Sequence, residues 1–225
     1  MTPLFKVVLG FSSVGTITTG ALYVSGIFKN RVKKIAIYSL LNDANPEKRL
    51  ITSKAVEDDV WKKAYMTYRT ENKSLDKDIW NLKDWNKPSN PVIETNATEE
   101  FISKCEFNSK VKVTGTDDLL YRQVLAYCTR DTLVSDLIKE GTTGRTLLTN
   151  TSSDEDWKAV WNTYKSSNEV ASGGIDKWKF SDWSEKKGGD TLPTEYKARC
   201  SEKASEPAFK TTDIKYLDVL NWCSK

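Results

Sequence analysis

Four cysteines and four of the eight tryptophans are the residues whose types and spacing could do chemistry in this chain. Cys105 and Cys128 are 23 positions apart, and so are Cys200 and Cys223. Thiols at such spacing can form disulfides, stay as buried free thiols that pack as small hydrophobes, or bind a metal. Metal binding needs further ligands, and none are evident in a chain without histidine. Trp80 with Trp85, and Trp178 with Trp183, place two indoles five positions apart among Asp and Lys. Such rings can stack on a sugar or grip a protein partner, or serve as core anchors.

The absence of histidine closes the commonest catalytic arrangements: Ser-His-Asp and Cys-His nucleophiles, HExxH zinc sites and imidazole bases. SxxK occurs at Ser74–Lys77, Ser109–Lys112 and Ser184–Lys187 without its companion motifs, as chance placement would allow. GTTGRT lacks Walker A spacing, and KKGGD opens no phosphate-cradling helix, so both read as loops, as does NKPSNP. Asp58, Asp59, Asp154, Glu155 and Asp156 could supply paired carboxylates for glycoside hydrolysis. Acids also favour the positive end of a helix dipole, and that account covers both clusters. No catalytic, cofactor or metal residue is assigned.

The elements that must position these residues come in two sets. WKKAYMTYR (Trp61 to Arg69) is echoed by WKAVWNTYK (Trp157 to Lys165). IWNLKDW matches KWKFSDW, Glu100-Phe101 and Cys105 match Glu195-Tyr196 and Cys200, and TDDLLYRQVLAYC matches TTDIKYLDVLNWC. The offset stays at about 95 to 98 residues throughout, the signature of a tandem duplication of a unit long enough to hold its own core. Each unit reads as mostly helical. Val60, Trp61, Ala64, Tyr65 and Tyr68 fall at helical spacing, as do Trp157, Val160, Trp161 and Tyr164. Ser152 with Glu155 fits a capping box, and Pro193 opens a helix carrying Tyr196 and Cys200 on one face. Tyr121, Val124, Leu125 and Cys128 form a further stripe. Because each pair sets one cysteine on each of two stripes that should face each other, Cys105–Cys128 and Cys200–Cys223 disulfides are the natural inference. The expected fold is mainly α: two tandem homologous small helical domains, residues 35–130 and 131–225, after an N-terminal transmembrane helix within residues 1–34.

That N-terminal segment runs uncharged from Val7 to Phe28 and ends in KNRVKK. As a helix it would span roughly 33 Å, against a hydrocarbon core of about 30 Å. A cleavable signal peptide is the competitor, but no A-x-A site follows it. The net charge of +3 comes from this end, since the remaining chain holds 29 basic against 31 acidic side chains. With no surplus of cations there to displace counterions from phosphate, nucleic acid is not an expected partner. The basic cluster after the span would keep the body in the cytoplasm by the positive-inside rule. Oxidised cysteines would argue for the outside.

A short uncharged span, a basic stop and a Trp-rich helical body are together similar to an uncharacterised paralogous family of membrane-anchored proteins in haemotropic mycoplasmas. The carrying residues are W-K-x-x-x-x-x-Y at Trp61 and Trp157, the DW pairs ending at Trp85 and Trp183, and C-x22-C with an aromatic before the last Cys. The resemblance covers the whole chain, with two units where the family form has one. It implies a membrane-anchored, surface-exposed member of a variable family with no catalytic residues to carry over. The function expected is therefore non-enzymatic and interactive or antigenic, with lipid as partner through the anchor and a host protein or glycan as candidate target. A carbohydrate-binding or lytic module using the Trp and acid clusters is the alternative, and a cytoplasm-facing scaffold a third.

Overall fold

Helices carry most of the described chain, and four strands of two or three residues stitch them together. The computed structural model describes residues 33–169, 175–189 and 191–225. Within it, Lys34–Lys225 cluster as one compact unit holding two hydrophobic cores, one drawn from residues 37–128 and the other from 134–223. The fold is mainly helical, as the periodicity predicts.

In the first half, β1 (Ile35–Ala36) leads directly into α1 (Ile37–Ala44), followed by β2 (Lys48–Leu50) and α2 (Asp59–Asn72). The Asp58 side chain accepts from the Val60 N–H and starts α2, and its apolar stripe buries Trp61, Ala64, Tyr65 and Tyr68. An irregular segment follows, then α3 (Glu99–Lys110), β3 (Lys112–Val113), α4 (Leu119–Tyr127) and β4 (Thr129–Asp131). β1 pairs antiparallel with β3, and β2 with β4. These two ribbons are too short to show as an alternating pattern, so helical periodicity alone could not announce them.

The second half runs through α5 (Val134–Glu140), α6 (Asp154–Ser167), α7 (Trp183–Gly188), α8 (Thr194–Ala204) and α9 (Ile214–Trp222). α6 is capped by Ser153, whose hydroxyl accepts from the Asp156 N–H, one residue later than expected. Ser152 is instead held by the preceding turn, where its Oγ accepts from the Thr149 N–H at 2.9 Å. Lys186, Lys187 and Gly188, expected in a loop, belong to α7, because the Glu185 and Lys186 N–H groups donate back to the Asp182 carbonyl. Pro193 does open α8, which buries Tyr196 and Cys200 together.

Equivalent contacts recur at equivalent positions. The Trp61 indole donates to the Ser53 carbonyl and the Trp157 indole to that of Thr149. The Ile37 N–H donates to Val111 and the Val134 N–H to Glu206; Ile51 donates to Cys128 and Leu148 to Cys223. Cys105–Cys128 is a disulfide tying α3 to the end of α4, and Cys200–Cys223 one tying α8 to the end of α9, with Cα–Cα distances of 5.4 and 5.7 Å.

Between the halves lies a polar junction. Thr132 is buried; its hydroxyl donates to Pro46 O and accepts from Arg49, and its carbonyl accepts from the Ala208 N–H. Arg49 reaches on to Glu140 at 2.9 Å, and Arg130 grips Asp136 with both guanidinium nitrogens at 2.6 and 2.9 Å. Burial pushes the Asp136 carboxyl upward, but Arg130 and the Leu133 N–H together hold it below its ordinary value.

No helix among the described residues is long and apolar enough to cross a membrane, and the expected span, Val7–Phe28, lies outside those residues.

Because each disulfide closes a loop of some two dozen residues, converting Cys105 and Cys128 together to Ser should lower stability by about 3 kcal/mol. Urea unfolding of the oxidised parent and the double variant measures it. A loss below about 1 kcal/mol would mean that α3 and α4 are held by packing alone.

Candidate functional site

The segment after α2 has no regular structure, yet it is fixed by one buried carboxylate. Asp78 Oδ1 accepts from the Tyr68 hydroxyl in a very short hydrogen bond and from the Trp80 N–H at 2.8 Å, while Oδ2 accepts from the Leu82 N–H at 2.9 Å. After α6 the same arrangement is built by Asp176: the Tyr164 hydroxyl, the Trp178 N–H and the Phe180 N–H all donate to it. Asn72 and Asn168 close the helix ends, each amide donating to the tyrosine carbonyl and each Oδ1 accepting a loop N–H, from Ile79 and Lys177 respectively. Burial and the neighbouring carboxylate push the Tyr68 and Tyr164 phenols far above the ordinary tyrosine range, and burial does so for Tyr196. These phenols stay protonated at neutral pH and act as structural donors.

The four tryptophans proposed for ligand stacking lie in this frame. Trp80, Trp178 and Trp183 are buried and Trp85 is half-buried against the first core. Trp80 faces Tyr68 at 4.9 Å and Phe101 at 5.8 Å, with Tyr127 edge-on at 5.6 Å. Trp178 meets Tyr164, Tyr196 and Trp222; Trp183 sits edge-to-face on Trp161 and Tyr164; Trp85 packs edge-on against Tyr68. Their neighbours are aromatic side chains of the same half, which is how core anchors pack.

The acid clusters resolve as helix starts. Asp58 is a cap, and Asp59, Asp154, Glu155 and Asp156 occupy first turns. Asp59 is held below its ordinary value by Lys62, and Asp156 by Lys225. No group of three or more His, Cys, Asp or Glu suited to a metal ion occurs among the described residues.

What the spacing did not reveal is a pair of grooves, one beside each disulfide. The first, of about 290 Å³, is lined by Leu50, Ile51, Trp61, Ile102 and the Cys105–Cys128 bridge, with Lys54 and Glu106 at its edge. The second, of about 310 Å³, is lined by Leu147, Leu148, Trp157, Lys197 and the Cys200–Cys223 bridge. Both volumes lie at the small end of ligand sites. Their charged edges differ. Lys54 and Lys110 both donate to Glu106 and hold its carboxyl at about 2, whereas Lys197 pairs with Asp154 at 3.1 Å and lies 5.6 Å from the centre of the Trp157 ring.

No protein-family model, no curated protein and no solved structure matches the chain.

Two outcomes follow from the buried carboxylates. Asp78→Ala leaves the Tyr68 hydroxyl and the Leu82 N–H without an acceptor, the Trp80 N–H keeping only its 3.3 Å bond to that hydroxyl. It should cost about 3 kcal/mol, with Asp176→Ala similar and the exposed Asp84→Ala within about 0.5 kcal/mol. Urea midpoints compare them; a cost for Asp78→Ala near that of Asp84→Ala would refute the anchoring role. Because the folded phenols titrate above the unfolded value of about 10, their stabilisation is complete below that pH and is lost as pH rises beyond it. Tyrosinate absorbance of the buried set should therefore appear together with loss of near-ultraviolet circular dichroism. Ionisation of every tyrosine near pH 10 in a still-folded chain would contradict it.

Proposed function

We propose that this chain is a membrane-anchored, surface-displayed, non-enzymatic protein, made by tandem duplication of one disulfide-stapled helical unit, that acts by binding a partner or as an antigen. The observation that carries the reading is the repeated staple: the same helix pair is closed by a disulfide in each half. Structural disulfides persist in oxidising surroundings, which supports a body outside the cytoplasm despite the basic cluster after the uncharged run.

The duplication draws support from the paired contacts of Trp61 and Trp157, Tyr68 and Tyr164, Asp78 and Asp176, and the backbone bonds of Ile51 and Leu148. The non-enzymatic reading draws support from composition and geometry together. Histidine is absent, and the most perturbed phenols are consumed by core hydrogen bonds rather than turned toward a cleft. The resemblance to the paralogous mycoplasma proteins points the same way, toward a host-facing surface and a host protein or glycan as target. Recognition on this reading uses the grooves and exposed rims, because Trp80 and Trp178 lie against neighbouring rings of the core.

Protease treatment of intact cells, followed by blotting for the second half and thiol alkylation with and without reductant, tests it. Loss of the body, with thiols unreactive until reduction, is the expected result. A protected body with freely alkylated thiols would overturn the surface reading.

A further inference from the structure

We infer that the outward face of the β1·β3 ribbon, built on Lys34 and Lys112, rests against an anionic lipid surface; this deepens the membrane-anchor reading above and depends on it. The face follows from strand register. Ile35 is directly opposite Val113, and Ala36 opposite Lys112. Cross-strand partners share a face and successive residues alternate. Val113 is buried, so Ile35 and Val113 mark the inner side while Ala36 and Lys112 mark the outer one. Lys34, one residue before β1, falls by alternation on the outer side, diagonal to Lys112. Lys33, Lys34 and Lys112 are all exposed. Lys110 differs, being paired with Glu106 at 2.8 Å. The acids nearest Lys112 in sequence are Asp117, which is exposed, Asp118, whose carboxylate caps α4 through the Leu120 N–H, and Glu106, which accepts from Lys110 and Lys54; the one nearest Lys34 is the exposed Asp43. Two residues beyond Ala36, Tyr38 is half exposed, a residue type favoured at lipid interfaces.

Two independent observations point to lipid rather than to a generic basic patch. The first is distance. The uncharged run ends at Phe28, and the seven steps from there to Ile35 reach at most about 25 Å even when fully extended, so this ribbon cannot stand far from a bilayer that holds the run. The second is the comparison between halves. The bridge matching Ala36–Lys112 is Leu133–Pro207, and the positions matching Lys34 and Lys112 hold Asp131 and Pro207. The cation pair occurs in the half that follows the uncharged run and is missing from the other. Each lysine beside anionic headgroups strengthens such contact about fivefold.

The full-length chain in nanodiscs that carry a headgroup spin label tests this, with and without phosphatidylglycerol. Retention in the discs reports on the anchor, and amide relaxation reports on the face. Expected is enhanced relaxation centred on Lys34–Tyr38 and Lys112–Thr114, several-fold stronger in anionic discs. It should fall at least fivefold in Lys34→Glu/Lys112→Glu and stay unchanged in Lys210→Glu. A retained chain whose enhancement lies elsewhere, or is indifferent to lipid charge, overturns the face while leaving the anchor standing. A chain not retained in discs of either composition overturns both.

Discussion

A single buried carboxylate in each half decides where the aromatic core can sit. The stretches around Asp78 and Asp176 enter the interior without a helix or strand ladder to satisfy their amides, which would leave backbone donors stranded. Asp78 and Asp176 resolve this by gathering two loop N–H groups and one tyrosine hydroxyl each. A carboxylate side chain is suited to the task because its two oxygens offer several acceptor sites. Once the loop is pinned, Trp80 lies on Tyr68 and Trp178 on Tyr164, and Phe101 or Tyr196 closes the cluster from α3 or α8. The disulfides then fasten α3 to α4 and α8 to α9 within the same two cores.

Outside that frame the halves solve shared problems with different chemistry. The Trp80 indole donates to Gln123; at the position matching Gln123 stands Asp218, which pairs with Lys177 at 2.7 Å and whose carboxyl burial raises despite that lysine. Tyr127 donates to Glu71 at 2.5 Å, while Trp222, at the matching position, donates through its indole to Ser167. Buried polar groups have to be paired, but the identity of the partner is open wherever it reaches solvent.

The legible part of this architecture is the part that helical periodicity encodes. The stripes of α2, α6, α8 and both cysteine-bearing helix pairs were readable because large aromatics repeat at helical spacing and cysteine spacing repeats with them. The candidate site was legible only in outline. Trp80, Trp85, Trp178 and Trp183 were visible as residues, but their packing depends on Asp78 and Asp176, which look like ordinary surface acids in KDIW and IDKW. The left-handed backbone at Lys179, φ 58°, was equally hidden, since lysine carries no local preference for that region, whereas Asn81 at the matching position, φ 53°, is a residue type that visits it. The β1·β3 and β2·β4 ribbons were missed for lack of length. Ser153 displaced Ser152 as a cap because two adjacent serines satisfy the same local rule and only the Thr149 turn distinguishes them.

The division between frame and rim bears on what such a protein can recognise. Stacking on a sugar needs an exposed aromatic face, and the buried Trp80, Trp178 and Trp183 lie against other rings of the core, so any recognition through these three has to use their surroundings at the edges. The two grooves beside the disulfides are similar in volume, yet one edge carries Lys54 with a strongly acidic Glu106 and the other carries Lys197 against Asp154. Rim pairs of this kind contribute little to stability, so they can change without loss of the fold. The core, by contrast, tolerates little, because removing a buried acceptor strands several donors at once. A scaffold with a demanding interior and permissive edges can present two chemically distinct surfaces from one folding solution.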